Sequence, residues 1–454
     1  MPRRSNILIL SYYWPPAGGA GVQRWLKMLK YWDYSKYNVT IYTAEHGDGV
    51  VEDSSLQAEV PDALNVVRRP IWEPYVAYNR FLGRKPGEKV YSAFIEEGKT
   101  GGWAQRFSIW LRSNLFIPDA RAFWIRPSIR YLKPKLAEWK IDTIISTGPP
   151  HSIHLIAQGL LKARPEIFWV ADFRDPWTHI DFYRQLRLTK WADRRHHTLE
   201  RRVLKGAHRV LTVSPTLQGE LSELGEDRSV ELIFNGYDPA DFTAVGQDPH
   251  PAFTLMHVGS MNPDRNPTAL WQALRQACDA NPDLDQALEI HLIGVVDRTI
   301  KESIAEAGLT HQVRYEAFRP HREVIGEMQR AWMLLLPIND TPNAMGILPG
   351  KMYEYMGAGR PILLVGPNEA DSRKITDGWS QVQGCDYADV TGMRRAIERQ
   401  FKAYQGGKFA LESSEEHEVF SRERIAQELM ESLPEWRRAF KSAAKRSKNR
   451  STKS

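Results

Sequence analysis

Cysteine is nearly absent. Cys278 and Cys385 are the only two among 454 residues, and they lie far apart. That excludes a disulfide framework and a cysteine-rich metal centre, and it fits a reducing compartment. Long apolar runs are absent too: none approaches the roughly 18 residues of a membrane-spanning helix. Arg3 and Arg4 precede the apolar Ile7 to Leu10, but Ser11 and Pro15-Pro16 interrupt that run too early for a signal peptide, so it reads as a first buried strand. A cytoplasmic protein is expected. No Asp-x-Asp stands between a strand and a loop, where it would suggest a bound divalent ion, and no full Gly-x-Gly-x-x-Gly fingerprint opens the chain.

Apolar residues make up 42% and charged residues 26%, the composition of an ordinary globular protein. The length suits two or three domains, each large enough for its own core. The net charge is +6, much of it in the last residues, Phe440 to Ser454. That basic tail has almost no apolar content and is expected to be disordered, either simply solvated or drawn to anionic lipid. Elsewhere basic residues are interspersed with acids and no nucleic-acid motif appears, so no nucleic-acid partner is expected.

Short apolar runs alternate with amphipathic segments. Strands are expected at Ile7–Tyr12, Val39–Tyr42, Asp142–Ser146, Ile167–Ala171, Arg209–Val213 and Val230–Phe234. The pattern restarts with Phe253–Val258, Leu288–Ile293, Val313–Ala317, Met333–Pro337 and Ile362–Val365, with helices between them. Strand–helix alternation implies parallel sheets covered on both faces. The expected domains are 1–234, 252–410, a crossing helix at 411–440 and the tail at 441–454. The join lies in the Gly-, Pro- and Asp-rich stretch from Asn235 to Pro251. In the last helix Trp436 and Phe440 share a face, which suits packing back on the first domain. Between Trp72 and Trp139 aromatics are dense, and Trp103, Phe107, Trp110 and Leu111 recur at helical spacing. They suit either a core stripe or a membrane-contacting patch.

Four loops carry chemistry. Tyr13–Arg24 (YWPPAGGAGVQR) places Gly18 and Gly19 between a strand and a helix, where bare backbone and a helix N-terminus can meet a phosphate or sugar. A tight turn would use the same residues. Ala171 to Trp177 sets Asp172, Arg174 and Asp175 at a strand's carboxyl end, where open sheets bind ligands. An ion-paired loop is the alternative. At the end of the preceding strand, His151 can contact substrate or cap the next helix. His257 to Pro267 repeats the strand–glycine–basic loop pattern with Ser260 and Arg265, a diphosphate partner. Gly346 to Leu363 opens a helix at Pro349 and Gly350 and sets Lys351 three residues before Glu354. A cation for phosphates and a carboxylate for ribose hydroxyls suit a nucleotide, although an ordinary ion pair has the same spacing.

Taken together these loops resemble, in order and position, the retaining family-4 glycosyltransferases of the GT-B superfamily, over roughly residues 5 to 440. The resemblance implies an α/β chain of two facing Rossmann-like domains with the active site in the cleft between them, and a C-terminal helix that crosses back. It implies metal-independent transfer, with retention, from a nucleotide sugar to a glycan or lipid-linked acceptor, in building cell-surface polysaccharide. No cofactor is implied beyond the donor, and a peripheral contact with anionic membrane is a further expectation. By resemblance Glu354 serves the donor ribose, Arg265 and Lys351 the diphosphate, and backbone near Gly19 the phosphate or sugar. Asp172, Arg174 and Asp175 fall to the reacting centre. Two departures stand out. The family often has a second glutamate that would fall on Gly346, and an arginine where this chain has Ser260. The rival readings are a nucleotide-sugar epimerase on the same fold and a non-catalytic protein at a membrane.

Overall fold

The computed structural model describes residues 4–45, 52–72, 110, 113–181, 183–226, 228–242, 248–409 and 415–451. Trp103, Phe107 and Leu111 of the aromatic stripe lie outside the described residues.

The first unit comprises the described residues up to Phe234 together with those from Glu423 onward. Its elements are β1 (Ser5–Ser11), α1 (Ala20–Lys30), β2 (Tyr37–Ala44), β3 (Asn65–Arg69), α2 (Ala122–Glu138), β4 (Thr143–Gly148), α3 (Ser152–Leu161), β5 (Phe168–Phe173), α4 (Lys190–Gly206), β6 (Arg209–Thr212), α5 (Pro215–Leu224) and β7 (Val230–Leu232). The seven strands are parallel in the order β3-β2-β1-β4-β5-β6-β7. The second unit, Asn235–Arg422, holds β8 (Phe253–Val258), α6 (Thr268–Ala280), α7 (Pro282–Ala287), β9 (Leu288–Ile293), α8 (Arg298–Glu306), β10 (Val313–Glu316), α9 (His321–Arg330), β11 (Met333–Pro337), α10 (Gly350–Ala358), β12 (Ile362–Val365), α11 (Asp371–Ile375), β13 (Val382–Cys385) and α12 (Val390–Gln405). Its sheet is also parallel, in the order β10-β9-β8-β11-β12-β13.

Central strands are buried along their whole length and mostly apolar because helices cover both faces. All six residues of β4, β5 and β8 are buried. Each sheet has one point where the strand order reverses, β1/β4 in the first and β8/β11 in the second. At such a point the neighbouring loops diverge and leave a crevice beyond the strands' carboxyl ends. These two crevices position the candidate site residues.

The last helix, α13 (Arg422–Ser451), follows the second unit in sequence but packs in the first. Ile425, Ala426, Leu429, Leu433 and Trp436 form one helical face and join the core built around Trp25, Leu29 and Ile41. Phe440 lies 4.1 Å from the His208 ring, and Arg437 pairs with Asp142 at 3.2 Å. The helix continues through Lys441 to Ser451, where low apolar content suggests disorder. Alanine, lysine and arginine favour helix, and extending an existing helix needs no new nucleus. Among the described residues no helix is long and apolar enough to cross a membrane.

The described part of the aromatic segment divides in two. Trp124 is buried and stacks on Tyr42 at 5.3 Å. Trp72, Trp110, Leu115 and Phe123 are exposed, and Trp72 meets Phe123 edge-on at 4.8 Å.

Candidate active site

In the first unit, the chain leaves β1 through the proline- and glycine-rich loop and enters α1 at Gly19. Gly19 has φ 93°, a backbone state that glycine adopts without strain, and it faces open space. Gly18 beside it is half-buried. The first turn of α1 contains no acidic residue and no side chain caps it, so its amides remain available to an anion. Gly21 is needed for contact: a β-carbon there would come within 2.9 Å of the Tyr13 ring and 3.2 Å of the Arg174 guanidinium.

Arg174 thus lies beside the start of α1. Its Nε and Nη2 donate to the carbonyls of Gly148 and Pro149, at 3.1 and 2.7 Å, in the loop after β4. The cation is held at the first crevice by backbone, without a carboxylate partner in those contacts. Asp175, next along, is exposed at the same edge.

Asp172 differs from its expected role. Its carboxylate is completely buried and accepts from four groups: Arg24 Nε at 3.2 Å, Arg24 Nη2 at 3.0 Å, Trp25 Nε1 at 2.8 Å and Thr147 Oγ1 at 2.8 Å. Burial alone would raise its pKa, but the Arg24 charge and these bonds win and hold the carboxyl below its ordinary range. Asp172 therefore ties β5 to α1 and β4. It is a positioning residue for Arg174 two residues on, and its full burial keeps it from the reacting centre expected for it.

His151 does not cap α3. The Asp119 carboxylate accepts from the Ser152 amide at 2.8 Å instead. The His151 ring is stacked on Trp177, 4.7 Å away and 3° from parallel, and its Nδ1 is buried without a hydrogen-bond partner. His154 behind it bonds Ser146 at 2.9 Å through Nδ1. Burial lowers the His154 pKa to about 3, with Asp172 opposing and Arg174 reinforcing the shift. In the unfolded chain a histidine titrates near 6.5. Between these values only the unfolded chain takes up this proton, so the stability contributed by neutral His154 is complete above about 6.5 and falls as pH falls. His154→Leu is expected to remove about 1.4 kcal/mol per pH unit from the slope of unfolding free energy between about pH 4 and 6. Urea titrations of both proteins across that range check this, and equal slopes would contradict it.

In the second unit, β8 ends at Val258 and Gly259 turns the chain with φ 127°. A β-carbon on Gly294 would come 2.5 Å from the Gly259 carbonyl, so the loops after β8 and β9 touch backbone to backbone. A short turn, Pro263–Arg265, follows. Arg265 donates from Nη1 to the Ser260 carbonyl at 3.2 Å and from Nε to the Asn339 side chain. Asn339 lies just beyond β11. The bond therefore bridges the two sides of the second crevice. Ser260 contributes its backbone to holding Arg265, and its hydroxyl side is exposed.

Helix α10 begins at Gly350, with Pro349 as the preceding cap residue in extended conformation. Gly350 faces open space, and no acidic residue sits in the first turn. Tyr355, on the buried side of α10, accepts from the Val258 amide at 2.9 Å, which docks the helix on the end of β8. On the other side Lys351 Nζ contacts Glu354 Oε2 at 2.5 Å, and His321 Nε2, at the start of α9, lies 3.5 Å from Oε1. Burial would raise the Glu354 pKa, but Lys351 and His321 hold the carboxyl well below the usual range. Burial lowers His257 to about 4 against its bond to the Leu335 carbonyl, and the Arg265 and Lys351 charges push the same way. One imidazole thus senses both cations.

The structure brings Ser260, Arg265, Pro349, Gly350, Lys351 and Glu354 to the second crevice, and Gly18, Gly19, Arg174 and Asp175 to the first. Three contributors were not read from the sequence. Asn339 had a usable signal, a polar residue directly after the apolar run of β11. Arg24 and His321 had none, because their partners are remote in sequence.

Residues 18–236 match the family model of the glycosyl transferase 4-like domain. Comparison with curated protein sequences finds no match. Among solved structures the chain is similar to a sucrose-phosphate synthase from Thermosynechococcus elongatus, with TM-score 0.58 and 15% identity over 97% of this chain and 100% of that one. It is similar to a glycosyltransferase from Rickettsia africae, with TM-score 0.59 and 11% identity over 95% and 98%. It is also similar to an E. coli structure described as trehalose-6-phosphate bound with UDP-2-fluoro glucose, with TM-score 0.55 and 12% identity over 97% and 98%. At these identities the structural likeness establishes the fold.

Proposed function

We propose that this chain, whose residues 18–236 match the glycosyl transferase 4-like domain, is a glycosyltransferase that moves a sugar, with retention and without a metal ion, from a nucleotide sugar to a glycan or lipid-linked acceptor. The observation that carries the reading is the second crevice. A fixed guanidinium, a free helix N-terminus, a lysine and a low-pKa carboxylate sit together where a nucleoside diphosphate needs them.

The hard step is cleavage between the anomeric carbon and the diphosphate. Negative charge grows on the leaving oxygen in the transition state, and preorganised cations and amides stabilise it there. Arg265 is held in place before the donor arrives. Lys351 rests on Glu354, so binding redirects it: ribose hydroxyls replace the ammonium on Glu354, and the ammonium turns to the phosphates. The positive charge at this crevice takes the place of a divalent ion in the proposed chemistry. The first unit receives the acceptor, with Arg174 and Asp175 at its crevice as the groups nearest in chemistry to the reacting sugar.

We place the enzyme in cell-surface polysaccharide assembly in the cytoplasm, peripheral to the membrane. Trp72, Phe123, Leu115 and Trp110 are exposed apolar groups, and the basic end of α13 suits anionic lipid. The test is release of nucleoside diphosphate from a panel of nucleotide sugars, with lipid-linked acceptor and excess EDTA. One donor is expected to turn over at the same rate with and without chelator. Loss of turnover in EDTA that Mg2+ or Mn2+ restores and Zn2+ does not would overturn metal independence, and no turnover of any donor would overturn the reading.

A further inference from the structure

A second cluster, on other residues of the second unit, has no part in the donor chemistry. His250, just before β8, His291 in β9 and Glu327 on α9 each present one donor atom, and the three atoms lie within 4.8 Å of one another. Both histidines are buried, His291 completely and His250 with 8% exposed. His250 Nε2 faces Glu327 Oε2 at 3.1 Å, while His291 Nδ1 is buried with no hydrogen-bond partner. A buried imidazole nitrogen without a partner is costly unless something satisfies it.

The surroundings fix the roles of the nitrogens. His291 Nε2 bonds the Glu316 carboxylate at 2.9 Å, which requires Nε2 to carry the proton and leaves the lone pair on Nδ1. A carboxylate behind a histidine in this way orients the ring and raises its basicity toward a metal. His250 is clamped by backbone: its amide donates to the Arg330 carbonyl at 3.0 Å, and its carbonyl accepts from Trp332 Nε1 at 2.9 Å. Arg319 and Arg330 approach Glu327 Oε1 at 3.3 and 3.6 Å, which leaves Oε2 toward His250. Those two charges weaken a cation's hold and limit its affinity. Glu316, which also pairs with Arg319 and Arg314, offsets them.

We propose that His250, His291 and Glu327 form a binding site for a zinc-class divalent ion, with water as the fourth ligand. Tetrahedral ligands about 2.0–2.1 Å from zinc lie roughly 3.3 Å apart. The His250–Glu327 pair already has that spacing at 3.1 Å, and His291, within 4.8 Å of both, closes the remaining gap of up to about 1.5 Å when the ion binds. The ion's role is structural. It joins the entry to β8, the strand β9 and the helix α9.

Full-length protein stripped with EDTA and dialysed free of it is titrated with Co2+, read by visible d–d absorption, and with Zn2+, read by thermal unfolding. One equivalent of tetrahedral Co2+ displaced by Zn2+ is expected, with a Zn2+-dependent rise in Tm of about 3 °C or more at a hundredfold excess over Kd. Both signals should be lost in His250→Ala and weakened at least tenfold in Glu327→Gln, a surface-side change that spares the core if His250→Ala fails to fold. Absence of the d–d band in wild type, or its full persistence in Glu327→Gln, would overturn the site. Neither readout depends on the nucleotide sugar, so this result stands apart from the transferase assignment.

Discussion

Arg265→Ala is expected to lower kcat by about 10²–10³-fold while KM changes little. Arg265 is held between the Asn339 side chain and the Ser260 carbonyl, in loops on opposite sides of the second crevice. A guanidinium fixed before the substrate binds loses little freedom when charge appears on the leaving phosphate, so its benefit falls mainly in the transition state. Ser260, on the same loop, brings no second cation, so Arg265 carries more of the load. Arg265→Lys should recover only part of the loss, since an ammonium cannot reach Asn339, Ser260 and a phosphate at once. Steady-state kinetics on the three proteins decide it, and an Arg265→Ala enzyme with near-normal kcat would remove this residue from the mechanism.

Asp172→Ala is expected to cost about 3–5 kcal/mol of stability. The substitution leaves the Arg24 guanidinium, only 1% exposed, without its counter-charge, and strands Trp25 Nε1 and Thr147 Oγ1. Asp172→Asn keeps some of the hydrogen bonds and should be intermediate. Chemical denaturation of the first unit, followed by its tryptophan fluorescence, reads the effect. The two roles for this residue separate cleanly. An anchoring aspartate gives a variant that unfolds early, and whose folded fraction turns over at a rate set by how far Arg174 has shifted. A reacting aspartate gives a stable, inactive Asp172→Asn.

The sequence was most readable where burial is complete. β11 and β12 are apolar from end to end and β8 and β9 nearly so, and the limits of all four matched the expectation. Two edge strands escaped notice. β3 is Asn-Val-Val-Arg-Arg, half-exposed with charge at one end, and β13 is Val-Gln-Gly-Cys. An edge strand is covered on one side only, so it needs no long apolar run. The site shows the same division. Arg265, Lys351 and Glu354 stood out because they are polar residues in loops and helix starts that immediately follow strong strands. The role of Asp172 was misread because its partners Thr147 and Arg24 are 25 and 148 positions away. A charge cluster at a strand end looks the same in sequence whether its carboxylate points to solvent or into the core.

The central claim is that the second crevice holds a nucleotide sugar through Glu354. It is tested most directly by measuring thermal stabilisation of wild type and Glu354→Gln by a panel of nucleotide sugars and their free diphosphates. The account predicts a rise in Tm for one nucleotide family in wild type. It predicts that the rise is lost or strongly reduced in Glu354→Gln, which keeps the shape and removes the charge that Lys351 and His321 now hold. An equal rise in both proteins, or no rise with any nucleotide, would contradict it.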